Sequence, residues 1–271
     1  MTMFSILVAN YNNGSYFPEC YESIMAQTWQ DWEVVIVDDG STDDSVNIIK
    51  QLVADDPRFR YYENEHNHGC GYTKHRCVSL ANGALCGFLD PDDVIEPMAL
   101  ERMVAAHQQG DHVLVYSNCM LCDDQLKPYN VYTRARQVDT ADPRFFNLDY
   151  AVLAFCSFKR EAYAATAGID PYMQRAVDQD LYLKLAEQGA FLFITDVLYR
   201  YRMHRTGISV SNEDRAQYWH WVAIITAAKR RNIAVDDLFL SRYVRRQEFE
   251  QLKKSVANSR VLKIKKILFG R

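Results

Sequence analysis

The chain has 271 residues, of which 48% are hydrophobic and 24% are charged, and its formal net charge at neutral pH is −4. These fractions are typical of a globular protein and exclude a disordered, collagen-like or low-complexity chain. The weak acidity argues against a dedicated nucleic-acid binder, which would present a broad basic face. The length is sufficient for one large domain or two small ones.

The amino terminus has no basic flank before its short apolar run, so we expect no signal peptide. No apolar stretch reaches about 18 residues, so we expect no transmembrane helix and a cytoplasmic protein. The seven cysteines are an odd number spread along the chain, which indicates reduced thiols. Cys119 and Cys122 have CxxC spacing without a second pair, and burial as small apolar side chains is favoured over a metal or redox role.

Strand and helix patterns alternate through the first half of the chain. Apolar runs predict strands over 4–9, 33–37, 58–63, 84–89 and 113–116. Helical spacing of apolar residues predicts helices over 15–27, 44–54, 72–81 and 97–107, and a further helix over 218–230. This alternation predicts an α/β fold with a parallel sheet, whose ligands bind at the carboxyl ends of the strands.

Two of these predicted strands end in acidic segments. The second strand runs into residues 38–43 (DDGSTD), and the fourth runs into residues 90–93 (DPDD). A single such segment would be read as a solvated turn, because Asp caps helices and Gly40 permits a tight turn. Two of them on neighbouring strands favour a functional site, because clustered carboxylates need a compensating cation or hydrogen-bond donors. The Asp-x-Asp-Asp group suits Mg²⁺ or Mn²⁺, which bind oxygen and bridge phosphates.

Several common motifs are absent from the sequence. There is no Gly-x-x-x-x-Gly-Lys-[Ser/Thr] loop, no Gly-x-Gly-x-x-Gly after the first strand and no Gly-x-Ser-x-Gly elbow. P-loop nucleotidases, dinucleotide oxidoreductases and serine hydrolases are therefore disfavoured. Phosphate groups would be held through a metal ion instead.

The order of several short blocks resembles the inverting glycosyltransferases of family 2, which have the GT-A fold. The match covers roughly residues 3–210 of the sequence. The blocks are VANYN at 8–12, QTWQDWE at 27–33, VDDGSTD at 37–43, NHG at 67–69, LDPDD at 89–93, GID at 168–170, DQDL at 178–181 and YRYRMH at 199–204. Each block alone is weak, but their ordered combination is a strong signal.

The resemblance implies an α/β, Rossmann-like GT-A fold: a central, mostly parallel sheet flanked by helices, with a helical C-terminal extension. It implies a catalytic domain over 1–210, made of a nucleotide-sugar-binding half (1–117) and an acceptor-binding half (118–210). The resemblance fades after Ser211, and from the residues alone we expect 211–271 to form the extension, which ends in a basic amphipathic tail.

The resemblance also assigns the nucleotide site. Ala9 and Tyr11 would line the nucleotide pocket, with Tyr11 beside the base. Asp39 would accept a hydrogen bond from a ring nitrogen of uracil, which favours UDP-sugars. One departure from the family follows Gly69, where many members have Ala-Arg-Asn. Lys74 keeps a positive charge there, which could approach the diphosphate as a point charge or have no functional role.

The metal site follows from the same resemblance. Asp90, Asp92 and Asp93 match the Asp-x-Asp motif, with Asp92 as the direct ligand of Mn²⁺ or Mg²⁺. His204 falls where some members place a histidine near the metal and the diphosphate, although a lone histidine at a strand end is equally often a packing residue. The arginines around it make this segment a candidate cationic lid over a diphosphate.

Asp178 falls where the family places its catalytic base. Asp180 is the competing carboxylate in the same predicted helical turn, and we interpret it as structural. The family usually has Glu-Asp here, whereas this chain has Val177 before Asp178. The missing glutamate changes the surroundings of the base but not its assignment.

The sequence motifs are less specific for the acceptor-binding half and for the carboxyl-terminal tail. Aromatic residues at 145, 146, 150 and 155 could stack on sugar rings or belong to the core. Residues 251–271 carry seven basic and no acidic side chains, so the rest of the chain has a net charge of −11. We interpret this segment as a peripheral contact with an anionic membrane surface, against a solvated helix end or a partner subunit. Equal vesicle binding after truncation near Gln251 would contradict the membrane interpretation.

Together these features predict a metal-dependent, inverting glycosyltransferase. It would move a hexose or N-acetylhexosamine from a UDP-sugar to an acceptor hydroxyl of a glycan or lipid-linked glycan, in the synthesis of a bacterial capsule, lipopolysaccharide or exopolysaccharide. The alternatives are a nucleotidyltransferase that makes NDP-sugars, and a non-catalytic sugar-nucleotide-binding subunit. The first would usually carry a Gly-rich basic loop after the first strand, which residues 10–14 (NYNNG) do not provide.

Overall fold

The computed structural model of the protein describes residues 3–153, 155–204 and 213–258. The chain divides into two compact units, Met1–Ala227 and Ala228–Arg271. The first unit contains the sheet and all the residues of the candidate site. The described part of the second unit is helical.

The first unit alternates strands and helices in its amino-terminal half. In chain order the strands β1 to β9 are Phe4–Asn10, Trp32–Asp38, Phe59–Glu63, Leu85–Phe88, Val94–Ile95, His112–Cys122, Pro128–Val131, Cys156–Lys159 and Ala190–Arg202. The helices α1 to α7 are Phe17–Met25, Ser45–Val53, Cys70–Leu80, Ala99–Gln108, Arg160–Ala164, Val177–Ala186 and Glu213–Arg230. In the second unit, α8 is Asp236–Phe239, a π-helical turn spans Leu240–Val244, and α9 is Arg245–Asn258.

The described strands form one sheet in the order β3-β2-β1-β4-β8-β6-β9-β5, with β7 paired to β6 outside this path. Strands β3, β2, β1 and β4 run parallel, and β6 and β9 are also parallel. Strand β8 is antiparallel to both β4 and β6, and β5 is antiparallel to β9. The sheet is therefore mixed, with its parallel part at the amino-terminal end of the chain.

The strand β1 determines where ligands can enter. The chain moves from β1 outward to β2 and β3, then returns to place β4 on the other side of β1. Such a reversal opens a crevice beyond the carboxyl ends of the strands, because the following connections diverge to opposite faces. Asn10 pairs in register with Asp38, so β1 and β2 end at the same level.

Burial explains why the first strands form as they do. Every residue of β2 is buried, and six of the seven residues of β1 are. Phe4, Ile6 and Val8 of β1 are completely buried in the main hydrophobic cluster. A fully buried side chain of this size contributes roughly 1.5–3 kcal/mol. Continuous apolar runs of this kind are typical of strands covered on both faces.

The predicted fold class is confirmed: a Rossmann-like sheet flanked by helices, with a helical carboxyl-terminal segment. Two details differ. Antiparallel pairs are as frequent as parallel ones among the described strands, because β8 inserts between β4 and β6 and reverses the direction. The two strands that end in acidic segments, β2 and β4, are not direct neighbours, because β1 lies between them.

Strand β6 extends from His112 to Cys122, well beyond the predicted 113–116, because it pairs with β9 along its whole length. Cys119 and Cys122 lie on this extension and are buried. All seven cysteines are free thiols. The isolated CxxC therefore contributes apolar packing.

None of the helices in the described ranges is long and apolar enough to cross a bilayer. Most of the predicted basic tail, residues 259–271, lies outside the described residues.

Candidate functional site

The ends of β1 and β2 are joined by a polar network. The amide of Asn10 donates to Oδ2 of Asp38 at 2.6 Å. Asp38 also accepts from the backbone N–H of Ser41 at 2.7 Å and from its hydroxyl at 2.7 Å. Both oxygens of the buried Asp38 thus accept hydrogen bonds from the protein, and its role is to fix the turn that follows β2.

Asp39, which is predicted to bind the uracil ring, lies in the same turn and is buried. Its Oδ1 accepts from the side-chain amide of Asn64 at 2.6 Å and from the backbone N–H of His68 at 3.0 Å. Within the described part of the chain, its Oδ2 accepts from the backbone N–H of Gly69 alone, at 2.8 Å. A carboxylate oxygen has two lone pairs, so Oδ2 retains capacity for one further donor.

Ala9 and Tyr11 flank this turn at the end of β1. Ala9 is half-buried, and Tyr11 is 42% exposed. The backbone N–H of Asp39 donates to the carbonyl oxygen of Asn10 at 2.8 Å, so Tyr11 directly follows the contact between β1 and this turn. An exposed aromatic residue at this position is suited to contact a planar heterocycle.

Gly40 is required by the geometry of the same turn. Its φ is +69°, in the left-handed region, and an added Cβ would lie 2.8 Å from backbone atoms of His66. The turn after β2 and the loop before α3 therefore approach each other at a point where only hydrogen fits. This contact places the amides of His68 and Gly69 against Asp39.

Asp93 is buried just before β5 and is held by strand β9. Its Oδ1 accepts from the backbone N–H of Arg202 at 2.7 Å, and its Oδ2 accepts from the hydroxyl of Tyr199 at 2.5 Å. Burial raises the pKa of Asp93 well above its ordinary value, and the nearby carboxylates of Asp92 and Asp90 raise it further. Asp93 thus ties β9 to the acidic turn, and its oxygens face the protein.

Asp92 faces a different partner. Its Oδ2 lies 2.7 Å from Nε2 of His204, which follows the end of β9. The other ring nitrogen of His204 lies 3.4 Å from the hydroxyl of Tyr16, and the two rings are 4.8 Å apart. The structure therefore brings together one carboxylate and one imidazole from residues 112 positions apart.

The two arginines of β9, predicted to belong to a cationic lid, donate hydrogen bonds to groups of the protein itself. Arg202 is buried and donates from Nε to the carbonyl oxygen of Asp92 and from Nη1 to that of Asp124, each at 2.7 Å. Arg200 donates to Glu96 at 2.6 Å. Arg202 therefore stabilises the loop around Asp92, and Arg200 is paired with Glu96 after β5. Arg205, the third cation of the predicted lid, lies outside the described residues.

Lys74 lies between the predicted base and the acidic turn. Its Nζ donates to Oδ1 of Asp178 at 2.8 Å and lies 3.5 Å from Oδ1 of Asp90. Burial lowers the pKa of this amine, but the carboxylates of Asp178 and Asp90 outweigh that effect and raise it well above its ordinary value. Lys74 is therefore a permanent cation at the site.

The two carboxylates in the first turn of α6 have opposite environments. The side chain of Asp178 is 45% exposed. Asp180 is buried and pairs with Lys184 at 2.6 Å, so no substrate can reach its carboxylate without breaking that pair. Ala176, just before α6, adopts a left-handed φ of +54°. Such strain in a non-glycine residue is common where a backbone is held for function.

Among the described residues, no group of three or more His, Cys, Asp or Glu side chains is arranged to hold a metal ion. Asp92 and His204 supply two adjacent donor atoms, one oxygen and one nitrogen. Asp90 lies two residues away with a side chain that is 43% exposed. A divalent cation bound by one or two protein ligands usually completes its shell with substrate phosphates and water.

Residues that the sequence did not single out support this arrangement. Tyr16 contacts His204, Tyr199 binds Asp93, and Asn64 binds Asp39. Tyr199 lies in a recognised block, which is a usable signal, whereas Asn64 and Tyr16 have none in a single sequence. Of the aromatics on the predicted acceptor side, Phe146 and Phe155 are core residues, since both are fully buried.

Comparison with known proteins gives a consistent result. The family model "Glycosyl transferase family 2" matches residues 5–166, the segment that contains β1 to β8. The chain is 31% identical over 236 residues to a chondroitin synthase of Escherichia coli, covering 84% of this chain and 33% of that protein. It is 28% identical over 264 residues to a hyaluronan synthase of Pasteurella multocida, covering 93% of this chain and 25% of that protein. The chain thus spans a quarter to a third of these curated relatives.

Two solved structures have a similar fold at low identity. The S. aureus TarS fragment 1–349 in complex with UDP-GlcNAc aligns with a TM-score of 0.69 and 21% identity, covering 83% of this chain and 67% of that one. The mannosyltransferase PcManGT of Pyrobaculum calidifontis, in complex with GDP-Man and Mn²⁺, aligns with a TM-score of 0.63 and 19% identity. It covers 82% of this chain and 64% of that one. These likenesses establish the fold.

The close approach at Gly40 can be tested with an alanine. Gly40→Ala is expected to destabilise the protein by about 2–3 kcal/mol, since the left-handed φ and the backbone clash both cost free energy. Urea unfolding measures the loss.

Gly168→Ala is the matched control. Gly168 has nearly the same φ, +68°, but its added Cβ would meet side-chain atoms instead of backbone: the hydroxyl and a ring carbon of Tyr163 at 2.9 and 3.3 Å, and the His75 ring at 3.7 Å. It should therefore cost about 1 kcal/mol. Equal costs for the two variants would show that the approach of the two loops is not tight.

Proposed function

Because the chain belongs to glycosyl transferase family 2, we propose that it transfers a hexose or N-acetylhexosamine from a UDP-sugar to an acceptor hydroxyl, with inversion at the anomeric carbon. The acceptor is a glycan or lipid-linked glycan of the bacterial surface. One observation carries the proposal: an exposed carboxylate, Asp178, meets the acidic crevice of the sheet through the cation of Lys74.

The nucleotide end of the donor is assigned to the turn after β2. Oδ2 of Asp39, bonded to the Gly69 amide, has capacity for the ring N–H of uracil, and the exposed Tyr11 follows the end of β1. The complex of TarS with UDP-GlcNAc, a protein of the same fold, supports a donor of this class. The sugar and its diphosphate would then extend from β2 across β1 toward Asp90 and Asp92, which follow β4.

The residues at that end fit a divalent cation. Asp92 and His204 would hold Mn²⁺ or Mg²⁺, with Asp90 near the donor, because they present oxygen and nitrogen atoms that these ions accept. The bound ion supplies neutralisation of the charge that develops on the diphosphate. Asp93 orients the loop through Tyr199 and the Arg202 amide, so we assign it a supporting role next to the ion.

The chemistry is a single displacement. An acceptor hydroxyl oxygen forms a bond to the anomeric carbon while the bond from that carbon to the diphosphate oxygen breaks. The electron pair of the broken bond leaves with UDP. The hydroxyl proton passes to the carboxylate of Asp178, whose side chain is 45% exposed. Attack from the face opposite the leaving group inverts the anomeric centre.

Thermal-shift titration with UDP, GDP, dTDP and CMP, each with and without Mn²⁺, tests donor recognition. UDP is expected to give the largest shift, and Mn²⁺ should increase it. At a ligand concentration of about 100 times Kd, the stabilisation is about 2.7 kcal/mol, which raises Tm by roughly 5 °C or more.

The isosteric variant Asp92→Asn distinguishes nucleotide binding from metal binding. It should keep the shift with UDP alone and lose the increment from Mn²⁺. A larger shift with GDP than with UDP would contradict the donor assignment, and an unchanged Mn²⁺ increment in Asp92→Asn would contradict the metal assignment.

Replacing the base tests the chemical step. Asp178→Asn should lower kcat about 10²–10⁴-fold, the usual worth of a general base, with little change in KM for UDP-GlcNAc. UDP release from UDP-GlcNAc, with water or a panel of monosaccharide and disaccharide acceptors, measures this. NMR of the product from an α-linked donor should show a β-linkage.

Asp180→Asn is the matched control on the same helical turn. Its loss leaves the amine of Lys184 buried and weakly compensated, so stability falls while kcat of the folded enzyme stays within about three-fold. Full turnover in Asp178→Asn, or retention of the anomeric configuration, would overturn the proposed mechanism.

A further inference from the structure

We propose that Lys74 is a positioning residue for the base: it holds the carboxylate of Asp178 in the orientation for proton abstraction and links it to Asp90 at the donor crevice. The inference rests on the proposed function and deepens it. It gives the ammonium group a task different from contact with the diphosphate, which the sequence suggested.

The contacts of Lys74 carry the argument. Its Nζ lies 2.8 Å from Asp178 and 3.5 Å from Asp90. The same nitrogen lies 4.9 Å from the centre of the Phe88 ring, at the end of β4. Carboxylates and an aromatic face thus surround the cation, and only 6% of the side chain is exposed. The charge is directed to protein groups.

The asymmetry of exposure points to positioning. Lys74 is buried, whereas the side chains of Asp178 and Asp90 are 45% and 43% exposed. A buried cation that contacts each carboxylate from the protein side fixes one of its sides and leaves the other side open to ligands. Lys74 lies on α3 and Asp178 lies on α6, 104 residues apart in sequence. Their contact therefore joins the predicted donor and acceptor halves.

A second buried lysine shows what a purely structural pair looks like. Lys184 and Asp180 lie on α6 itself, with side-chain exposures of 8% and 3%, and Lys184 also donates to the carbonyl oxygen of Gly168 at 2.7 Å. Neither partner is open to a substrate. The two pairs share chemistry and burial of the lysine and differ in the exposure of the acid.

Removal of the cation has a specific consequence. Without Lys74, the carboxylates of Asp178 and Asp90 face each other with no positive charge between them and repel. Both can turn into water because both are half exposed, so the fold is retained and the base leaves its position. A displacement of about 1 Å at a catalytic group can cost about 100-fold in rate.

The experiment compares Lys74→Met, Lys74→Arg and Lys184→Met by the rate of UDP release from UDP-GlcNAc and by calorimetric binding of UDP. Lys74→Met is expected to lower kcat about 100-fold with UDP affinity and KM nearly unchanged, and Lys74→Arg should recover part of the loss. Lys184→Met should lower the unfolding midpoint in urea and leave kcat of the folded enzyme nearly unchanged.

The split between kcat and binding decides between the two tasks of Lys74. A loss of UDP affinity in Lys74→Met that accounts for the loss of rate would assign the amine to the diphosphate and overturn the inference. Full turnover in Lys74→Met with inactive Asp178→Asn would overturn the inference alone. Full turnover in both variants would overturn the base assignment as well.

A measurement independent of activity closes the test. Urea unfolding of Lys74→Met, Asp178→Asn and the double variant forms a double-mutant cycle. Direct contact predicts a coupling of about five-fold or more in the unfolding equilibrium constant. Strictly additive effects would overturn the inference whatever the activity.

Discussion

Carboxylates from three distant parts of the chain meet at the carboxyl edge of the sheet, and each needs a compensating partner, because burial and like charges penalise their ionised forms. Asp38 is compensated by Asn10 and Ser41, and Asp39 by an amide side chain and two backbone N–H groups. Asp93 is compensated by strand β9. The arrangement of turns, loops and the long strand β9 follows from this requirement.

Hydrogen-bond partners and exposure distinguish the structural carboxylates from those available to a ligand. Asp38 and Asp93 accept protein hydrogen bonds at both oxygens and are buried, so they fix the backbone. Asp90 and Asp178 are half exposed and share one lysine. Sequence alone treats neighbouring aspartates as equivalent, whereas their partners make them different. Asp92 and Asp93 are adjacent in the chain, but Asp92 contacts His204, whereas Asp93 is bound by Tyr199 and the backbone N–H of Arg202.

The amino-terminal half of the fold could be predicted because strands buried on both faces appear as apolar runs, as β1 and β2 do. The carboxyl-terminal half could not: β9 mixes exposed and buried residues along 13 positions, and its pairing with β6 is not encoded locally. The acidic turns and Asp178 were identified from ordered blocks. The contacts of Lys74 with Asp178 and of Arg202 with Asp92 and Asp124 were not, because these partners lie about 80 to 110 residues away in sequence and depend on tertiary packing.

In the proposed reaction, negative charge moves from the acceptor oxygen to the diphosphate, so the two ends of the crevice have different needs. At the base, the arriving proton neutralises Asp178, and a permanent cation such as Lys74 only has to hold the carboxylate in place before that event. At the diphosphate, charge accumulates and then leaves with the product, which favours an ion held by few protein atoms. The pair of Asp92 and His204, with two adjacent donor atoms, is of that kind. The proposed reaction therefore needs a covalently fixed cation, Lys74, beside the base, where the charge begins. It needs an exchangeable metal ion beside the diphosphate, with which the charge departs.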